Sequence, residues 1–96
     1  MQQLWTHSVG NEKQADAEVQ AVIEAVKDAI EEKLGKTVQK LEALKYATQV
    51  VAGINYHVKV DVGDDIIHVV VYQHFSGTKS LTSVKTGETT TSPLRH

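Results

Sequence analysis

The stretch TQVVAGINYHVKV, residues 48–60, carries the clearest structural signal in this chain of 96 residues. After Gly53, apolar residues alternate with polar ones, which is typical of a β-strand with one buried and one solvated face. The run QVVAG before the alternation is small, uncharged and largely apolar. Two interpretations are open: Val50 and Val51 end a strand whose turn comes later, or the run is itself a hairpin bend.

A second strand is predicted at residues 65–73, directly after a turn at Gly63 and Asp64. Its sequence, DIIHVVVYQ, is rich in β-branched residues. An antiparallel pairing across the turn brings the apolar faces of the two strands to the same side, which supports one register. That register pairs Tyr56 with Val71, Val58 with Val69 and Val60 with Ile67.

An amphipathic helix is predicted at residues 11–34. Its apolar residues recur at steps of three and four, so they form one stripe that packs against the core. Asn11 or Asp16 is expected to cap the start of this helix. Gly35 is expected to end it, because glycine tolerates the left-handed conformation found there.

Two further strands are predicted, at residues 38–51 and at about residues 80–86. The first changes the parity of its apolar positions, so a bulge is expected near Ala43. The predicted fold class is therefore α+β, with one long α-helix packed on a four- to five-stranded antiparallel β-sheet. Residues 1–96 are predicted to form a single domain, with residues 1–9 as a flexible N-terminal extension.

Composition excludes several classes of function. The net charge of −2 comes from mixed charges without a basic stripe, which argues against nucleic acid as a partner. The chain has no cysteine, so it holds no disulfide, thiolate metal site or cysteine nucleophile. It shows no apolar run of membrane-spanning length and no leader sequence. A cytoplasmic location is the simplest expectation, although a mature form whose leader was removed is also compatible with the sequence.

The five histidines are the obvious candidates for metal or acid–base chemistry. His57 and His68 are predicted to be solvated on the outer face of the sheet, with zinc ligation as the alternative. His74 and Ser76 share a loop, but no carboxylate or oxyanion pocket is signalled for catalysis. We therefore predict no catalytic residue, no metal, no cofactor and no enzyme activity. The apolar bend at residues 50–53 and Phe75 in the next loop indicate a surface for a partner protein instead.

Several stretches of the sequence resemble a known protein family. Residues 49–53 match the QVVAG motif of the cystatin superfamily of cysteine-protease inhibitors, and GINYHVKVDVGDD after it resembles the next strand of the stefins. Residues 25–48 and 67–73 are similar to the stefin helix end and second strand and to the fourth strand. The absence of cysteines fits the stefins better than the secreted cystatins. The resemblance spans roughly residue 10 to the end of the chain.

This resemblance implies a cystatin-like fold and a wedge that blocks the active-site cleft of papain-like cysteine proteases such as cathepsins. The wedge would consist of an amino-terminal trunk and two hairpin loops, and the inhibitor would act as a monomer. The protease-binding residues that the resemblance implies are Val9 and Gly10 in the trunk, Gln49, Val50, Val51, Ala52 and Gly53 in the first loop, and His74, Phe75 and Ser76 in the second.

The second loop and the carboxyl end depart from the stefin pattern. HFSG stands where stefins usually have a leucine–proline pair, so Phe75 is expected to supply the apolar contact. The chain ends in SPLRH instead of the usual aromatic residues. Two alternatives therefore stay open: a non-inhibitory interaction module on the cystatin fold, and a self-associating protein that forms domain-swapped dimers.

Overall fold

Two short α-helices and five β-strands make up residues 12–88, the part of the chain that the computed structural model describes. The elements are β1 (Lys13–Gln14), α1 (Ala17–Ala25), α2 (Lys27–Leu34), β2 (Glu42–Val51), β3 (Gly53–Asp61), β4 (Ile66–Gln73) and β5 (Lys79–Glu88). All five strands form one antiparallel sheet in the order β1-β2-β3-β4-β5. This confirms the predicted α+β class. Neither described helix has the length and hydrophobicity needed to cross a membrane.

The helical segment differs from the prediction of one long helix. It begins at Ala17, where the Asp16 carboxylate accepts a hydrogen bond of 2.9 Å from the Val19 backbone N–H, and it ends at Gly35, which has φ +77°. Asp16 is therefore the cap at its start. The segment is interrupted at Val26, whose N–H bonds to the carbonyl of Ile23, three residues back instead of four. The apolar residues of both helices are buried on either side of this interruption.

The predicted bulge lies at the start of β2. The register of β2 against β3 shifts between Ala43 and Lys45, and β2 begins at Glu42, later than the predicted residue 38. Gln20 of α1 holds this irregular start: its Nε2 donates to the Leu41 carbonyl at 2.7 Å, and its Oε1 accepts from the Ala43 N–H at 2.9 Å. One helix side chain thus satisfies two backbone groups at the start of β2.

The core lies between the helices and one face of the sheet. The register of β3 against β4 is the predicted one, with Tyr56 opposite Val71, Val58 opposite Val69 and Val60 opposite Ile67. These side chains, with the buried stripe of the helices, form one apolar cluster: Val19, Val22, Ile23, Val26, Ile30, Ala43, Tyr56, Val58, Val60, Val62, Ile67, Val69 and Val71. The last strand, β5, runs to Glu88 and is longer than predicted.

The prediction of solvated histidines on the outer face is wrong. His57 and His68 are 3% and 8% exposed, and Lys59 between them is 1% exposed. All three lie on the inner strands β3 and β4, where each side chain has cross-strand neighbours on both sides. Alternation of polar residues identifies a face of a strand, but it does not determine whether that face is open to water. Within residues 12–88, no group of three or more histidine or acidic residues is arranged to hold a metal ion.

Candidate functional site

Two loops lie side by side at one end of the sheet. The first loop, residues 49–53, joins β2 to β3, and Val51 pairs directly with Gly53, so that Ala52 alone forms its tip. The second loop, residues 74–78, joins β4 to β5. Pairing of Ile54 with Gln73 places the start of β3 beside the end of β4, which brings both loops to the same end of the sheet. This end, formed by residues 49–53 and 74–78, is called the loop edge. The run QVVAG is therefore itself the hairpin bend, and the interpretation of a later turn is wrong.

The tips of these loops are apolar and exposed. In the described part of the chain, the exposed large hydrophobic side chains are Val50, Val51 and Phe75, at 76%, 41% and 80% exposure. All three therefore project from one edge of the sheet, two from the first loop and one from the second. Because loop tips in water are normally polar, such a grouping indicates a surface that another molecule covers.

The first loop is shaped by Gly53 and Tyr72. Gly53 has φ +132°, and a Cβ at this position would lie 2.5 Å from the Gln73 carbonyl oxygen and 2.7 Å from the Tyr72 hydroxyl. The same hydroxyl donates a hydrogen bond to the carbonyl of Ala52 at the tip. Only glycine allows β3 to start this close to β4, and that closeness is what lets Tyr72 reach across and hold the tip.

The second loop is closed by its own hydrogen bonds. The His74 N–H donates to the Thr78 carbonyl at 2.8 Å, and the Gly77 N–H donates to the His74 carbonyl at 2.9 Å. The His74 imidazole also accepts a hydrogen bond from the Ser76 N–H, with 3.2 Å between Nδ1 and N. Phe75 lies between these partners, and its ring centroid is 5.9 Å from that of His74. The loop is therefore a tight turn that presents one aromatic ring.

The edge with the two loops carries little charge. Residues 49–53 and 74–78 contain no aspartate, glutamate, lysine or arginine. Lowered carboxyl pKa values occur at the opposite end: the Gly63 N–H, followed by the Lys40 ammonium, lowers the pKa of Asp61, and Lys36 at 2.7 Å lowers that of Asp64. Because the two loops contain no charged side chain and Lys79 is the charged residue beside the second loop, covering them with a partner desolvates few charges.

The structure brings most of the predicted site residues together. The predicted set Gln49, Val50, Val51, Ala52, Gly53, His74, Phe75 and Ser76 lies on this one edge. The predicted trunk residues Val9 and Gly10 lie outside the described residues. Tyr72 was missed by the sequence analysis, although the predicted register already placed it next to the start of β3.

Known proteins are similar to this chain over most of its length. The family model described as "Cystatin domain" matches residues 9–92. The chain is 41% identical over 80 residues to Cystatin-A2 of Dictyostelium discoideum, an alignment that covers 83% of this chain and 84% of that protein. It is 37% identical to Stefin-C of Bos taurus, over 88% and 91% of the two chains. It is 47% identical to the "Leukocyte cysteine proteinase inhibitor 1" of Sus scrofa, over 62% and 58%. By the extent of these matches, the chain belongs to the cystatin family and is of the stefin type.

Proposed function

We propose that this chain is a reversible, tight-binding inhibitor of papain-like cysteine proteases such as cathepsins, and that the two loops enter the active-site cleft. The observation that carries the proposal is the grouping of Val50, Val51 and Phe75 as exposed apolar side chains on one edge. A relative in Sus scrofa is named a cysteine proteinase inhibitor, which supports the same function. The family is one of inhibitors, and the chain is not an enzyme, as the sequence analysis predicted.

The first loop suits a narrow cleft for two physical reasons. Its side chains are short, and complete burial of an exposed valine contributes about 1.5–3 kcal/mol. Its shape is fixed in advance by Gly53 and by the hydrogen bond from Tyr72, so little conformational entropy is lost on binding. Gln49, Val50, Val51, Ala52 and Gly53 are the residues we assign to contact with the protease from this loop.

The second loop adds a contact beside the first. Phe75 presents a larger apolar surface than the valines, and His74 and Ser76 flank it. The loop has no proline to restrict it, so its shape depends on the hydrogen bonds that close it. We assign His74, Phe75 and Ser76 to contact with the protease.

The trunk is proposed from the direction of β1. Lys13 pairs with Tyr46 and Gln14 with Lys45, so β1 runs antiparallel to β2 and away from the first loop. The chain before Lys13 is therefore connected to β1 at its end nearer that loop. This connection supports Val9 and Gly10 as the third contact with the protease. We further propose that the inhibitor acts in the cytoplasm as a monomer.

Titration against active papain tests the proposal. The parent protein is expected to abolish activity at a stoichiometry of one to one. Val51→Asp removes apolar burial and forces a carboxylate to lose water, so inhibition should weaken on the order of 100-fold. Thr37→Asp is the matched control, because Thr37 is a β-branched, exposed residue next to Lys36, which bonds Asp64 at the opposite end of the sheet.

The outcomes of this titration separate the alternatives. Equal weakening by Val51→Asp and Thr37→Asp would contradict the assignment of the first loop. Absence of inhibition by the parent at micromolar concentration would favour a non-inhibitory interaction module. Inhibition that disappears as a dimer forms in gel filtration would favour the self-associating alternative.

A further inference from the structure

The second loop contains an imidazole that acts as part of its backbone turn. His74 Nδ1 lies 3.2 Å from the Ser76 backbone nitrogen and 3.1 Å from the Ser76 hydroxyl oxygen. The Ser76 hydroxyl lies 3.1 Å from that of Thr78. The hydrogen bond between the Ser76 N–H and the His74 side chain thus closes a short turn. Phe75 is the residue between its two partners.

The contact with the Ser76 N–H requires one protonation state of this imidazole. A backbone N–H is a donor, so the bond from Ser76 forms only when Nδ1 carries no proton, as in the neutral ring with its proton on Nε2. An imidazolium carries a proton on both nitrogens. Its Nδ1–H would face the Ser76 N–H, donor against donor, so the bond from the Ser76 backbone would be lost and Nδ1 could donate only to the Ser76 hydroxyl oxygen.

Within residues 12–88, titratable groups near the second loop come from β4 and from the start of β5. From β4, the Tyr72 ring lies 6.4 Å from that of His74. From the start of β5, the Lys79 ammonium lies 3.4 Å from the Gly77 carbonyl oxygen. The first loop, residues 49–53, contributes no ionisable side chain. Among these described residues, the charged group that the contacts bring to the loop is the Lys79 ammonium.

We propose that His74 is a positioning residue for Phe75, and that its protonation loosens the second loop and weakens binding to the protease. The neutral ring holds the turn, so this stabilisation is present above the titration of the imidazole and is lost as the pH falls through it. Imidazole changes its charge between about pH 5 and pH 8. The proposal rests on the proposed inhibitory function, because the affected ring lies in the assigned protease contact.

Two substitutions separate this role from a merely structural one. In His74→Asn, the amide oxygen can accept from the N–H two residues on, as asparagine does in turns, but it does not titrate. In His74→Ala, the acceptor is absent at every pH. Loss of one such hydrogen bond corresponds to roughly threefold to tenfold weaker binding. Both variants lose the imidazole, but only the asparagine variant keeps an acceptor for the Ser76 N–H, so at pH 7.5 the alanine variant should bind roughly threefold to tenfold more weakly than the asparagine variant.

Binding is measured against papain whose catalytic cysteine is blocked by a small group, at pH 7.5, 6.5 and 5.5. The ratio of dissociation constants between the parent and His74→Asn cancels the pH dependence of papain itself. We expect this ratio to rise roughly threefold to tenfold toward pH 5.5. A ratio that stays constant over the series, or an asparagine variant as weak as the alanine variant at pH 7.5, would overturn the proposal.

A second measurement uses the free inhibitor. In ¹H–¹⁵N spectra over the same pH range, the Ser76 amide should shift with the same midpoint as the His74 ring, and this shift should vanish in His74→Asn. A Ser76 amide that ignores the ring titration would refute the positioning role. If the parent does not bind papain, the proposed function fails, and the spectra then decide alone whether His74 controls the loop.

Discussion

Substitution of Gly53 by alanine tests the structural basis of the first loop. Gly53 has φ +132°, and the new Cβ would lie 2.5 Å from the Gln73 backbone oxygen. Because the nearest atom belongs to the backbone of β4, it cannot move aside as a flexible side chain would. Gly63→Ala is the matched control at the other end of β3: Gly63 has φ +103°, but its Cβ would meet ordinary contacts at 3.6 Å or more.

Both substitutions strain the backbone, but only Gly53→Ala also overpacks the structure. A side chain at a strained backbone conformation costs about 1–3 kcal/mol, and both variants carry that cost. Overpacking costs a further 1–3 kcal/mol or so, and only Gly53→Ala carries it. We therefore expect Gly53→Ala to lose about 2 kcal/mol more than Gly63→Ala. For a domain of this size, 1 kcal/mol corresponds to about 4–8 °C in Tm, so the Tm values should differ by roughly 10 °C.

Urea and thermal unfolding followed by circular dichroism give both quantities, and titration against papain gives the effect on inhibition. Gly53→Ala should also weaken inhibition, because relief of the clash moves the first loop away from Tyr72. Gly63→Ala should leave inhibition unchanged. Equal losses of stability in the two variants would refute the argument from close approach, and full inhibition by Gly53→Ala would refute the link between that approach and the loop.

Three further perturbations test other parts of the structure. Tyr72→Phe removes the hydrogen bond to the first loop and should weaken papain inhibition roughly threefold to tenfold while the fold persists, as read by inhibition constants and circular dichroism. Gln20→Leu leaves the two backbone groups at the start of β2 without a partner and should lower the free energy of unfolding by about 1–3 kcal/mol in urea, whereas Gln39→Leu on the surface should change it by less than about 0.5 kcal/mol. The pKa of Asp61 is lowered by a backbone N–H in the β3–β4 turn and by Lys40, so its stabilisation is present above the unfolded-state pKa and is lost as the pH falls through the lower folded value. Asp61→Asn should therefore flatten the decline of Tm below about pH 4, and an unchanged acid profile would contradict this assignment.

The sheet was predictable where two alternating patterns meet across a short turn. Strands β3 and β4 each have an apolar face of period two, and a slip by one residue would have exposed one of those faces. The observed register is the one that buries the apolar faces of both strands, and it could therefore be predicted. The bulge near Ala43 was predictable for the same reason, because a change of parity within β2 requires an extra residue.

Two features left no signal in the sequence. The helical segment breaks at Val26, where no glycine or proline stands to indicate it. The histidines of β3 and β4 are buried, although alternation made their face look polar. In both cases the local sequence pattern does not distinguish between the predicted and the observed outcome. Tyr72 is intermediate: its position beside β3 was predictable, but its bond to the first loop depends on the closeness that Gly53 allows.

The fixed shape of the first loop explains why the exposed valines remain available to a partner. An apolar loop with freedom to move would fold back onto the sheet and bury its own side chains, and a partner would then have to pull them out. Val50 pairs with Ile54 and Val51 with Gly53, so the ladder continues to the last residue before the tip. Gly53 and Tyr72 fix that tip against β4. Val50 and Val51 are thus held outward before binding, and in the proposed complex their burial in a cleft would contribute to affinity without an opposing cost of rearrangement.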